Sequence, residues 1–262
     1  MMHNNSSFTV IIPARMQSSR LPNKMTLNIG GLPMVVQTAK QAIKSNAHKV
    51  VVATDHANIV QLCNEHNIEV VMTKSTHNSG TDRLAEATEL LNLKPEETVI
   101  NVQGDEPLIN PDLINQLAEF IAHKNAEVAT IAHPIFAEDE IFNPNVVKVV
   151  IDKFNNALYF SRAAIPYYRD GFNKDTEFKL PVAVHILRHI GIYGYSVKFL
   201  KQYHQIEQSP LEQVECLEQL RVMYNGYKIA VLVSQSTPPS GIDTIEDLEK
   251  VRQIIGNNEY KY

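Results

Sequence analysis

The chain has 262 residues, enough for one large α/β domain, and its 44% hydrophobic and 20% charged composition is that of a globular protein with a full core. A formal net charge of −5 excludes a general nucleic-acid binder, so any polyanion site must be a local positive pocket in an acidic protein. Cys63 and Cys216, the two cysteines, exclude a disulfide framework; both fall in amphipathic helical patterns and are expected as reduced core residues.

Strand-like and helix-like segments alternate from the start. "FTVIIP" (8–13), "KVVVAT" (49–54), "EVVMT" (69–73) and "TVINVQ" (98–103) are short, nearly all-apolar, β-branched runs, as in strands covered on both faces. Helical patterns lie between and after them at about 33–45, 56–66, 80–92 and 111–123, the last opening with Asn110 as N-cap and Pro111 at the first helical position. This alternation predicts a doubly wound sheet whose ligand sits at the carboxyl ends of the strands. After about residue 127 the rhythm changes. "EVATIAHPI" (127–135), "NVVKVVID" (145–152) and "NALYFSR" (156–162) read as a more antiparallel sheet extension, the last two joined by a hairpin at "FNN" (154–156). Residues 169–183 are the most polar and irregular segment and read as a mobile loop. Capping boxes then start two helices, Ser209 with Glu212 and Thr244 with Asp247. With no repeat or linker, residues 1–262 form one domain, with the extension at about 127–225. No apolar run approaches the ~20 residues of a membrane span, and "MMHNNSSF" lacks a signal pattern, so no membrane association and a cytoplasmic location are expected.

Four stretches carry chemistry. The first strand runs into a glycine-free loop holding Arg15, Ser18, Ser19, Arg20 and Lys24. With neither GxGxxG nor a Walker loop present, a phosphate site here must use side chains: two planar guanidinium forks and one mobile ammonium suit a polyphosphate. A solvated surface loop is the bland alternative. The fourth strand ends in "QGDEP", leaving Asp105 and Glu106 adjacent. Mg²⁺ needs only one or two carboxylates when phosphates complete its shell, while Gly-Asp also makes an ordinary turn. Asp243 stands just before a helix already served by Glu246 and Asp247, so its carboxylate is available to converge with Asp105 on one ion. "NSGTDR" (78–83), with Thr81 and Arg83, reads either as a base or ribose contact or as a helix cap. His189, Tyr193, Glu218 and Gln219 bring polar groups into apolar surroundings and could line a polyhydroxylated substrate, although a lone strand histidine is more often a satisfied core residue.

Taken in order, "IIPARMQSSRLPNK" (11–24), "HNSGTDRLAE" (77–86), "NVQGDEPLI" (101–109), "ALYFSRAAIPY" (157–167), "LRHIGIYGY" (187–195), "SPLEQVECLEQLR" (209–221) and "GIDTIEDLEKVR" (241–252) resemble the 3-deoxy-manno-octulosonate cytidylyltransferases, the CMP-Kdo synthetases of Gram-negative bacteria. The resemblance spans nearly the whole chain. It implies a nucleotidyltransferase three-layer α/β sandwich of the glycosyltransferase-A type with a mostly parallel sheet, usually a homodimer. The reaction implied joins CTP and Kdo, with Mg²⁺, into CMP-Kdo and pyrophosphate, activating Kdo for lipopolysaccharide synthesis. By the same resemblance Arg15, Ser18, Arg20 and Lys24 contact the triphosphate; Thr81, Arg83 and Gln103 hold the nucleotide; and Asp105 and Asp243 are the magnesium ligands. Arg162, His189, Tyr193, Glu218 and Gln219 fall on the sugar side, and Arg20, Lys24, Asp105 and Asp243 carry catalysis. Two positions depart from the pattern, Asn23 where glycine is common and Met25 where proline is common.

Such a reaction needs no protein nucleophile: the anomeric hydroxyl attacks the α-phosphorus, and catalysis is positioning plus charge stabilisation. A second Mg²⁺ acting on the sugar hydroxyl is part of the expectation. Competing readings are a cytidylyltransferase for a sialic acid or for 8-amino-Kdo, a glycosyltransferase, and a silent nucleotide-binding module. The glycosyltransferase would normally carry an Asp-x-Asp pair where this chain has "QGDEP".

Overall fold

The computed structural model describes residues 7–16, 18, 20–77, 79–172, 184–235 and 241–256. Ser19, Asn78, Ser240 and most of the 169–183 segment therefore lie outside the described residues. In chain order the elements are β1 (Phe8–Ala14), the short strands β2 (Asn28–Ile29) and β3 (Leu32–Pro33), α1 (Met34–Ala42), β4 (Lys49–Thr54), α2 (Ala57–Glu65), β5 (Glu69–Met72), α3 (Gly80–Leu90), β6 (Thr98–Asn101) and α4 (Pro111–Lys124). There follow β7 (Val128–Pro134), α5 (Glu138–Phe142), β8 (Lys148–Ile151), β9 (Ala157–Ser161), β10 (Leu187–Ser196), α6 (Val197–Gln202), α7 (Pro210–Glu215), α8 (Gln219–Tyr224), β11 (Ala230–Val233) and α9 (Ile245–Gly256).

One sheet runs through the molecule in the order β11-β7-β10-β6-β1-β4-β5, with the β8–β9 hairpin attached to β10. Strands β6, β1, β4 and β5 are mutually parallel, as the alternating pattern predicts, although β5, expected to be covered on both faces, is an edge strand with exposed ends; β10 is antiparallel to β6 and β7. Every residue of β1 is buried, and alternate side chains enter different cores. Val10 and Ile12 pack with α1, α2 and α4 on one face, while Ile11 joins α3, α6 and α8 on the other. The two-faced burial explains why β1 reads as a continuous apolar run rather than an alternating one. A third, smaller core of Ile29, Met34, Leu108, Ile242, Leu248 and Val251 ties the β2–β3 hairpin to α9.

Local signals held where they were strong. Asn110 caps α4, Ser209 and Glu212 form a reciprocal box, and Thr244 and Asp247 exchange backbone bonds ahead of α9. Asn155 takes φ 60° in the predicted hairpin. The expectation for Cys216 fails. Cys63 is a buried core residue, but Cys216 is exposed, because the pattern through 209–221 is broken there by a left-handed residue (φ 52°) into two short helices. Strands β2 and β3, of two residues each, carried too few residues to stand out in the sequence.

Candidate active site

A cleft of about 610 Å³ opens at the carboxyl edge of β1 and β6, where the amino-terminal half of the antiparallel β10 reaches the same edge. Three chain segments converge there. The loop after β1 supplies Arg15, Ser18, Arg20 and Lys24; the end of β6 supplies Asn101, Gln103, Asp105 and Glu106; the turn before α9 supplies Asp243. Ser79, the N-cap of α3, presents Thr81 and Arg83 from one side. His189 and Tyr193 of β10, with Glu218 and Gln219, close the other.

The centre of the cleft is built around Lys24. Its Nζ donates to Asp105 Oδ2 at 2.5 Å, to Ile242 O at 2.8 Å and to Asp243 Oδ1 at 3.1 Å, while Arg20 meets Asp243 Oδ2 at 3.2 Å. Two carboxylates and one carbonyl thus surround one cationic atom. The backbone fixes this convergence: Ile242 N donates to Asp105 O, and Thr38 Oγ1 donates to Gly104 O. Asp243 N donates to Asp247 Oδ2, leaving the Asp243 carboxylate for the cleft. Neighbouring Glu106 is pushed up to about 8 by burial, with the charge of Asp105 adding to it.

The two departures in the loop have a physical account. Asn23 sits at φ 56°, ψ 27°, the left-handed conformation a glycine would take and that asparagine tolerates. Met25 is buried against Gly104, where an added Cβ would lie 2.8 Å from its Sδ and 3.2 Å from Pro13 O. Gly104 is therefore needed for close approach.

On the α3 side Arg83 is 4% exposed and anchored on Asp55 Oδ2 at 2.7 Å and Thr73 Oγ1 at 2.5 Å. It lines the cleft as a fixed charge. On the opposite side β10 shifts register against β7 between Ile190 and Tyr193. The Thr130 hydroxyl spans the irregularity, bonding Ile190 O, Ile192 O and His189 Nε2. The shift sets His189 and Tyr193 ring to ring at 5.4 Å, in a row with Phe160 and Tyr195. Burial pulls the His189 imidazole down to about 3, so it serves as a neutral hydrogen-bonding ring. Glu218 is raised, first by burial and then by Glu212, and Thr81 Oγ1 reaches it at 3.4 Å. Arg221 holds Glu212 in a two-pronged pair at 2.8 and 2.7 Å and lies over the Tyr203 ring, which fixes the α7–α8 corner carrying Glu218 and Gln219.

A family model described as cytidylyltransferase matches residues 9–229. The chain belongs to this family. It is 53% identical over 250 residues to a 3-deoxy-manno-octulosonate cytidylyltransferase of Neisseria meningitidis, covering 95% of this chain and 98% of that one. It is also 53% identical over 249 residues to one from Herminiimonas arsenicoxydans, covering 95% and 99%. A solved CMP:2-keto-3-deoxy-manno-octonic acid synthetase complexed with CTP superimposes with TM-score 0.86 and 37% identity, covering 97% of this chain and all of that one. A cytidylyltransferase from Leptospira borgpetersenii, at 15% identity and TM-score 0.59, shares the fold.

In this cytidylyltransferase the cleft gathers Arg15, Ser18, Arg20, Lys24, Thr81, Arg83, Gln103, Asp105, His189, Tyr193, Glu218, Gln219 and Asp243. Arg162 is not among them. Its Nε donates to Glu215 O at 2.7 Å and its Nη1 to Pro144 O at 2.9 Å, pinning β9 to α7. Arg188, Glu106 and Asn101 are among the further polar residues of the cleft. Arg188, ion-paired with Glu140, was legible only as the neighbour of His189. Glu106 stood in the sequence as the second carboxylate of "QGDEP". Asn101 was signalled by an amide inside an otherwise apolar strand, "TVINV".

Proposed function

We propose that this cytidylyltransferase transfers CMP from CTP to 3-deoxy-D-manno-octulosonate, giving CMP-Kdo and pyrophosphate, the activated sugar serving lipopolysaccharide assembly. The observation that carries this reading is that one cleft gathers two unlike sets of residues, the charged group of Arg15, Arg20, Lys24, Asp105 and Asp243 and the hydroxyl-reading group of His189, Tyr193 and Gln219. The named relatives, matched along 95% of the chain, support Kdo as the acceptor.

The residues divide the work by charge. Arg15 and Arg20 hold the triphosphate, Arg83 and Gln103 the nucleoside end, and the β10 rings with Gln219 orient the sugar so that its C2 hydroxyl faces the α-phosphorus. The new bond joins that oxygen to the α-phosphorus, the bond to the bridging oxygen of pyrophosphate breaks, and the hydroxyl proton passes to water. Lys24 and Arg20 neutralise the charge that gathers on the leaving pyrophosphate. Asp105 Oδ2, Asp243 Oδ1 and Ile242 O already converge on one cation, Lys24 Nζ, so this donor set fits Mg²⁺ once Lys24 turns to the phosphates. Among the described residues no third His, Cys, Asp or Glu joins the pair, which suits an ion completed by phosphate and water oxygens. When bound, Mg²⁺ would polarise the phosphates and offset the charge of the leaving group.

A cytoplasmic homodimer completes the proposal. Among the described residues no helix is long and apolar enough to cross a membrane. Exposed Leu158 on β9 and Leu211 and Val214 on α7, elements joined through Ser161 and Glu215, offer an apolar face for a second copy. The test is pyrophosphate release from CTP and Mg²⁺ with Kdo, 8-amino-Kdo and N-acetylneuraminate in parallel. Faster release with Kdo is expected. Preference for another sugar acid would reassign the pocket around His189, and no release with any would overturn the reading.

A further inference from the structure

Among the described residues five buried side-chain atoms have no hydrogen-bond partner, and three of them, Asn101 Oδ1, Tyr193 Oη and Gln219 Nε2, line this one cleft. Buried polar atoms in folded proteins are nearly always paired, so three orphans facing one space mark where a ligand's polar groups belong. Asn101 is the sharpest case. It is 3% exposed and closes β6, in register opposite Tyr193 of β10 on one side and Ile11 of β1 on the other. Nothing in the fold asks for an amide at this point. Val99, two residues earlier on the same face, packs in the apolar core, and valine or isoleucine suits a central strand better than asparagine. Thr130, in register with Tyr193 on β7, has its hydroxyl engaged by Ile190, Ile192 and His189.

The position is as informative as the missing partner. Asn101 stands two residues before Gln103 and four before Asp105, both on the nucleotide side, and directly across the strand pair from Tyr193 on the acceptor side. It therefore occupies the seam where the acceptor hydroxyl meets the phosphate.

We infer that Asn101 is a specificity residue of the transferase reaction, its side-chain oxygen accepting a hydrogen bond from a hydroxyl of the sugar-acid acceptor near the attacking C2 oxygen. This inference rests on the reading given under Proposed function. An amide oxygen in that place selects a donor hydroxyl and aligns the acceptor while leaving CTP to the cations of the β1 loop. A site built to pair a substrate hydroxyl discriminates against an acceptor lacking it, because its own polar atom is then left unpaired.

The experiment compares wild type with Asn101→Val and Asn101→Ala in three measurements: melting temperature without ligand, CTP affinity by calorimetry, and steady-state pyrophosphate release with the sugar acid varied at saturating CTP. Expected are an unchanged or higher melting temperature for Asn101→Val, CTP affinity within about twofold of wild type, and kcat/KM for the sugar acid lower by about tenfold, the value of one lost hydrogen bond of roughly 1.4 kcal/mol. An unchanged kcat/KM for the sugar acid in both variants overturns the inference. So does an equal loss of CTP affinity, which would place Asn101 with the nucleotide. A fall in melting temperature in both variants, with sugar kinetics lost in proportion, would show a structural role instead. Wild-type enzyme that releases no pyrophosphate with any sugar acid would sink the proposed function itself, and this inference with it, an outcome distinct from any failure in the variants.

Discussion

Lys24 offers the sharpest quantitative test, because it holds together two carboxylates that need a cation whether or not the enzyme is at work. Its side chain is 9% exposed, against 25% for Asp105 and 49% for Asp243. Lys24→Met keeps the apolar stem and removes the charge, leaving Asp105 without its cation and Asp243 with Arg20 alone. Breaking a fully buried pair costs about 3–5 kcal/mol, and solvent access at Asp243 brings the loss here to about 2 kcal/mol. That corresponds to a fall of roughly 4–8 °C in melting temperature for a domain of this size. If these carboxylates form the metal site, magnesium should restore what the ammonium supplied. At about a hundred times its Kd it contributes ~2.7 kcal/mol, enough to offset the whole loss. Thermal and urea unfolding of both proteins, with and without Mg²⁺ and without nucleotide, should show the variant rescued by the ion and the wild type gaining far less. Wild-type stability in the metal-free variant would refute the electrostatic account. Equal magnesium stabilisation of both proteins would show that Lys24 and the ion do not share a position.

Three further outcomes are expected. Arg83→Ala should lower stability by about 3 kcal/mol in urea unfolding, since it leaves the Asp55 carboxylate, 17% exposed, without its guanidinium, and magnesium should not recover it. Burial holds the His133 and His189 imidazoles below the ordinary histidine value of 6.5. Above that pH neither state binds these protons; below it the unfolded chain takes up protons that the fold refuses, so stability falls as pH drops from 6.5. The slope is up to ~1.4 kcal/mol per pH unit for each ring, trimmed by water in the cleft, and His189→Gln should make it shallower between pH 6.5 and 5 in pH-dependent urea titrations. Gly104→Ala should lower stability by about 1–3 kcal/mol of overpacking against Met25 and Pro13 O, with partial recovery in Gly104→Ala/Met25→Ala when measured by urea unfolding.

Much of the fold was legible because its determinants are local. Covered strands are apolar on both faces, so β1, β4 and β6 show as nearly unbroken runs, while β5 is an edge strand with Glu69 and Met72 exposed, and the Asn110, Ser209 and Thr244 caps carry their own hydrogen-bonding logic. Where the local signal was thin, the reading broke. A single left-handed residue at Cys216 divides what looks like one amphipathic helix, and Asn23 takes a glycine's backbone conformation without being one. The residue types of the site were legible too, as cations after one strand and carboxylates after another.

The sequence by itself therefore determined the alternation of elements, the chemical character of the loops that bear the site, and, through motifs in their order, the family. Tertiary structure alone decided which charges meet. Lys24 reaches Asp105 and Asp243 across sequence separations of 81 and 219 residues, through a small core that docks the turn before α9 on the end of β6. The same long-range packing turns Arg162 away to Glu215 and Pro144, anchors Arg83 on Asp55, and leaves Asn101 facing the cleft with an unpaired oxygen. Helix caps and strand patterns act over a few residues and are written in them. Ion pairs and orphaned polar atoms depend on distances between segments that no local pattern encodes.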